Sequence, residues 1–222
     1  MDVTKRSVYT KLDKQTKAEG LNGQTEKCGI INTLHSLDIR VSQSLSICAT
    51  KDASFMRFVL IILEISGHGV PWITGSLLAI YLYRGLEQQI ALNFLLALII
   101  DLAVVGTTKV LFKRSRPVYN AQDMFVTVSV DNFSFPSGHS TRAAMMAGIC
   151  SVLTPSVFGK ALVYTWALAI AMSRVMLGRH HVSDVVCGAL IGWAQYLLIV
   201  KIWLTAGMCQ WIMGMVPLIN LQ

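Results

Sequence analysis

Residues 90–112, IALNFLLALIIDLAVVGTTKVLF, carry only two charges, Asp101 and Lys109, along their whole length. A helix needs about 20 predominantly apolar residues to cross a bilayer, whose hydrocarbon offers no water to satisfy free backbone groups. Such a segment can do little other than span a membrane as a helix. Residues 57–83, 139–154, 159–177 and 184–205 have the same character, and 207–221 forms a shorter apolar tail broken by Gly214 and Pro217, which suits an interfacial or partial sixth helix. Of 222 residues 54% are hydrophobic and 14% charged, against roughly 25% charged in a soluble domain. The expected fold is all-α, a polytopic membrane bundle of five to six transmembrane helices.

The first 52 residues differ. They are polar, rich in lysine at the start (Lys5, Lys11, Lys14, Lys17), and lack the apolar run of a cleaved signal peptide. They read as a tail followed, from about 31 to 52, by a weakly amphipathic segment suited to the membrane surface, with 53–222 as the transmembrane domain. The formal charge of +7 resides in this tail and at helix ends without interleaved aromatics. That argues against nucleic acid and for a membrane surface or phosphorylated substrate. Five unpatterned cysteines imply neither a disulfide framework nor a zinc site.

Polar residues that interrupt membrane spans are functional hypotheses by default, because a charge at that depth is costly. The second span ends in KVLFKRSRP, with Lys109, Lys113, Arg114 and Arg116 before Pro117. The third begins at PSGH, where Pro136 precedes the helix and Ser137 suits its N-cap. The fourth ends in SRVMLGRHHVSD, which contains Arg174, Arg179, His180, His181 and Asp184. Alternating helix direction brings all of these to one face. Arginine forks, a lysine charge and the N–H groups of a helix N-terminus together suit a phosphate. His180 and Asp184 lie one helical turn apart, so a carboxylate can hold an imidazole that attacks phosphorus, while His139 protonates the leaving oxygen. This scheme requires no metal.

Lys109 to Pro117, PSGH at 136–139, and the S-R, H and D of 173–184 resemble, in this order, the three motifs of the type 2 phosphatidic acid phosphatase family, related in its site to bacterial acid phosphatases and vanadium haloperoxidases. The resemblance covers about 55–205. It implies Lys109, Arg116 and Arg174 as phosphate ligands with Ser137 and Gly138, His139 as general acid, His180 as the nucleophile forming a phosphohistidine, and Asp184 as its partner. It also implies a lipid phosphate substrate, no cofactor and no divalent metal. ISGHGVPW at 65–72, SFPSGHSTRAA at 134–144 and SRVMLGRHHVSD itself resemble the branch acting on polyisoprenoid diphosphates, such as presqualene and farnesyl diphosphate, in the endoplasmic reticulum and nuclear envelope. The alternatives are a broad-specificity phosphatidate phosphatase or a silent scaffold of the same fold. The third motif departs from the commoner form at Val182, where proline is usual.

Lys113, Arg114 and Arg179 read as interface anchors. His35 and His181 read as structural, and Glu64 and His68, beside Gly67 and Gly69, mark a kink facing the bundle or the site mouth. Asp101 should pair inside the bundle, and a metal site from His180, His181 and Asp184 is disfavoured by its ligand count. Basic residues concentrate on the tail and active-site side, Arg57, Arg114, Arg142 and Arg179 among them, so the positive-inside rule places both in the cytosol.

Overall fold

The computed structural model describes residues 29–50, 54–121 and 132–215. The lysine-rich tail lies outside the described residues. Eight helices are described: α1 (Gly29–Leu45), α2 (Phe55–Ser66), α3 (Gly69–Leu82), α4 (Leu86–Phe112), α5 (Gly138–Leu153), α6 (Val157–Met176), α7 (Val182–Lys201) and α8 (Ala206–Gly214). Each expected apolar stretch carries a helix within the described residues, the end of the 207–221 tail lying outside them, and the all-α fold is as the sequence predicts.

The expected first span is two helices, bent by 44° at Gly67 and His68. At 12 and 14 residues, each rises only about 20 Å, short of a 30 Å hydrocarbon core, so the two have the length and apolarity of a span only when taken together. His68 restarts the helix: its Nδ1 accepts the N–H of Val70 at 3.2 Å, and Pro71 occupies the first turn, where no intrahelical N–H is needed. By length and apolarity α4 and α7 also qualify as spans. Helix α5, at 16 residues, instead packs in the interior against α6 and α7.

Close approach of α5 and α7 sets the geometry of everything above it. A Cβ on Gly192 would stand 2.0 Å from the Thr141 carbonyl oxygen, and one on Gly188 would stand 2.8 Å from that of Ser137. Small residues let helices meet backbone to backbone where lipid supplies no hydrophobic drive. Beneath lies a core of Ala97 and Leu98 from α4, Met145, Met146 and Ile149 from α5, and Ile199 from α7. Trp72, Phe94 and Trp166 pack against it, with the Trp72 and Trp166 rings 5.7 Å apart. Leu111, Phe112, Val157, Phe158 and Leu190 face outward, which suits a bilayer.

Two expectations are corrected. Helix α4 ends at Phe112 with Lys113 left-handed at φ 47°, so Arg114 and Arg116 belong to the extended segment that follows rather than to the last turns. Arg57, Arg142 and Arg179 are buried and therefore are not surface charges available to a topology count. Arg142 pairs with Asp101 at 2.8 Å, the interior partner that Asp101 required.

Candidate active site

The segment after α4 and the segment before α5 are zipped together. Ser134 donates its N–H to the Arg114 carbonyl at 2.8 Å and its Oγ–H to the Ser115 carbonyl at 2.8 Å. The Ser134 carbonyl faces the third segment, 2.7 Å from Nδ1 of His180. Because a carbonyl only accepts, Nδ1 carries the proton and Nε2 keeps its lone pair. The Asp184 carboxylate, the expected partner of His180, stands 3.9 Å from Nδ1, an ion-pair distance longer than a hydrogen bond, and faces the imidazole as a nearby charge.

Asp184 is held elsewhere. Its Oδ2 accepts the His181 N–H at 2.9 Å, closing the first turn of α7, and its Oδ1 accepts from Arg114 at 2.6 Å. Its carbonyl takes the N–H of Ser137 at 3.1 Å, which fixes the start of α5 against the start of α7. Ser137 caps α5 as expected, accepting from Ser140 N at 3.4 Å. With its N–H on Asp184, what Ser137 can offer an anion is its hydroxyl, beside the Gly138 N–H of the helix N-terminus.

Cations surround His180. Burial depresses its pKa well below the usual imidazole value, and the charges of Arg116, Arg174 and Lys109 depress it further. The imidazole is therefore neutral at pH 7, the form a nucleophile needs. Arg174 and Lys109 are buried. Arg174 also accepts, through its carbonyl, the N–H groups of Arg179 at 2.9 Å and His180 at 3.2 Å. Arg116 donates from Nη1 to the Arg179 carbonyl at 3.0 Å, so two of the expected phosphate ligands also pin the His180 loop. His139 Nε2 is buried, and among the described residues it has no hydrogen-bond partner. No group of three or more His, Cys, Asp or Glu among the described residues is placed to hold a metal ion.

The PAP2 superfamily pattern matches residues 90–208, which contain all three motif segments of this site. The chain belongs to the PAP2 superfamily. This PAP2 protein is 34% identical over 173 residues to "Probable lipid phosphate phosphatase beta" of Arabidopsis thaliana, covering 65% of this chain and 79% of that one. It is 38% identical over 80 residues to phosphatidylglycerophosphatase B of Escherichia coli, covering 35% of this chain and 31% of the other. Two solved structures share its fold. They are a PAP2-type phosphatidylglycerolphosphate phosphatase of Bacillus subtilis (TM-score 0.61, 22% identity, covering 88% of this chain and 94% of that one) and LpxE of Aquifex aeolicus (TM-score 0.57, 20% identity, 74% and 95%).

Several residues around the PAP2 site were not singled out, or were read as bland, in the sequence. Arg114, expected as an interface anchor, clamps Asp184 and also Asp38 of α1 at 2.7 Å. Arg179, also expected as an anchor, is fully buried and donates to Asn120 at 3.2 Å. Glu64, in the kinked first span, lies 3.2 Å from Arg174 and 3.4 Å from Arg179. His68 stands with its ring 5.7 Å from that of His139. Arg114 and Arg179 showed in the sequence only as charge in apolar surroundings, whereas Glu64 and His68 were marked by the glycine-flanked kink expected to face the bundle or the site mouth.

Proposed function

We propose that this PAP2 protein is an integral membrane phosphohydrolase that removes phosphate from lipid phosphates through a phosphohistidine, with polyisoprenoid diphosphates of the presqualene and farnesyl type as its preferred class. The observation that carries the reading is the protonated Nδ1 of His180, which leaves Nε2 as a nucleophile amid Lys109, Arg116 and Arg174. Nε2 attacks phosphorus opposite the leaving oxygen. The N–P bond forms as the P–O bond breaks, and His139, which takes up a proton once the anionic phosphate offsets the surrounding cations, gives it to the departing oxygen. The three cations, the Ser137 hydroxyl and the Gly138 N–H stabilise charge on the transferring group. Water, deprotonated by His139, then releases phosphate and restores His180. None of these steps uses a metal or a cofactor.

The kinked SGHG of the first span is one of the stretches whose resemblance favours the isoprenoid branch, and His68 in it stands with its ring 5.7 Å from that of His139. A second reading, a phosphatase of glycerolipid phosphates, is favoured by the names of the relatives. The proposed residence is the endoplasmic reticulum and nuclear envelope, with the site facing the cytosol.

The test is phosphate release in detergent micelles with excess chelator, from farnesyl diphosphate and from phosphatidate, by wild type and His180→Ala. Release that survives chelation and is lost in the variant supports the histidine mechanism, and the preferred lipid selects the branch. Release by a folded His180→Ala protein would remove His180 from the nucleophile role. No release from either lipid by the folded wild type would favour a silent scaffold.

A further inference from the structure

Helix α1 presents two faces. Ile30, Ile31, Leu34, Leu37, Val41 and Leu45 are exposed, whereas Ser42 is fully buried against the start of α7. A helix N-terminus leaves its first N–H groups without intrahelical partners, and α1 satisfies two of them from outside. Ser42 Oγ accepts the Val182 N–H at 2.8 Å, and Asp38 Oδ1 accepts the Ser183 N–H at 3.0 Å. Asp38 Oδ2 also accepts from Ser183 Oγ and from Arg114 Nη2. Arg114 in turn donates from Nη1 to both Ser183 Oγ and Asp184. Burial works against the Asp38 charge, yet the bonds from Ser183 and Arg114 outweigh it and hold the carboxyl below its ordinary range.

Val182 makes this docking meaningful. A proline at that first helical position would have no N–H to satisfy; valine has one, and Ser42 takes it.

We propose that α1 is a positioning element of the phosphate site, with Asp38 setting, through Arg114 and the first turn of α7, where Asp184 and the His180 loop stand. The inference rests on the phosphohydrolase reading of that site. Asp38 touches no reacting atom. Its charge orients Arg114, Arg114 fixes the Asp184 carboxylate beside His180, and the Asp184 carbonyl holds Ser137 at the start of α5.

The experiment compares kcat and KM for farnesyl diphosphate and phosphatidate among wild type, Asp38→Ala, Asp38→Asn, Arg114→Ala and Asp38→Ala/Arg114→Ala, all full-length in micelles and shown folded by thermal unfolding. Asp38→Ala should lower kcat about 10- to 100-fold with KM changed less than about threefold, as expected when a reacting group is displaced by a fraction of an ångström. Asp38→Asn, which keeps an acceptor for Ser183, should fall between. In the Arg114→Ala background, Asp38→Ala should add little, because the two act in series. Additive losses, or a change confined to KM, would overturn the proposal.

Two further measurements separate this inference from the reading beneath it. Ser42→Ala should lower kcat in the wild-type background and leave it unchanged in Val182→Pro, where no N–H awaits a partner; equal losses in both would count against docking. Amide exchange of residues 178–186 should accelerate in Asp38→Ala whether or not the protein hydrolyses either lipid. Failure of all phosphate release with accelerated exchange would defeat the phosphohydrolase reading and keep the docking, while unchanged exchange would defeat the role of α1.

Discussion

His180 donates its Nδ1 proton to the main-chain carbonyl of Ser134 across 2.7 Å. A backbone acceptor is not removed by changing a side chain, so the tautomer survives substitution of Asp184. His180→Ala should abolish phosphate release, whereas Asp184→Asn should lower kcat by about 100-fold, less than the roughly 10⁴-fold seen where a carboxylate directly holds a catalytic histidine. Steady-state kinetics on matched folded preparations check this. Equal losses in the two variants would restore Asp184 as the direct partner.

Glu64 offsets two buried guanidinium groups, Arg174 and Arg179. Glu64→Gln keeps the shape and removes the charge, leaving both arginines without that anion. Losing one partner of a buried pair costs about 3 kcal/mol. Thermal unfolding in detergent should show a clear drop, and an unchanged midpoint would mean that Glu64 contributes nothing net.

His181 is buried at the start of α7 and its pKa falls from 6.5 to about 4, chiefly through burial and then through the charge of Arg114. The unfolded chain therefore binds a proton on this side chain before the folded one does. The associated stability is fully present above pH 6.5 and is lost as pH falls toward 4, by up to roughly 3 kcal/mol. Unfolding followed between pH 7.5 and 4.5 should show a shallower acid loss in His181→Asn than in wild type, and parallel curves would contradict it.

Gly192 faces the Thr141 carbonyl at a distance that leaves no room for a Cβ. Gly192→Ala must push α5 and α7 apart, at a cost of about 2 kcal/mol. Because the same contact seats Ser137 against Asp184, the variant should lose activity as well as thermal stability. Full activity in Gly192→Ala would show that the helix ends are positioned independently of this packing.

The apolar runs of this chain made its helices legible, since hydrophobic length alone dictates a span in hydrocarbon. The motif residues Lys109, Ser137, His139, Arg174, His180 and Asp184 were legible because charge and imidazole at span ends stand out against that background, and the structure gathers their segments at one end of the bundle. The 44° break at Gly67 and His68 could be read only as a kink, because two glycines permit a bend without fixing its angle.

What the sequence determined by itself is therefore the helical membrane bundle and which polar residues interrupt it, both of which follow from residue type and spacing along the chain. Tertiary structure decided who holds whom. Arg114 and Arg179 looked like surface anchors, yet Arg114 is half-buried in an ion pair with Asp184 and Arg179 is fully buried against Glu64. Asp184 was one turn from His180, yet its carboxylate was drawn to Arg114 and the His181 N–H. Asp38, 146 residues before Asp184 in the chain, joined the site only because α1 folded across the start of α7. The physical reason is that a hydrogen bond is chosen by distance and angle among all available partners, and those partners come from segments whose approach is set by packing rather than by sequence neighbourhood.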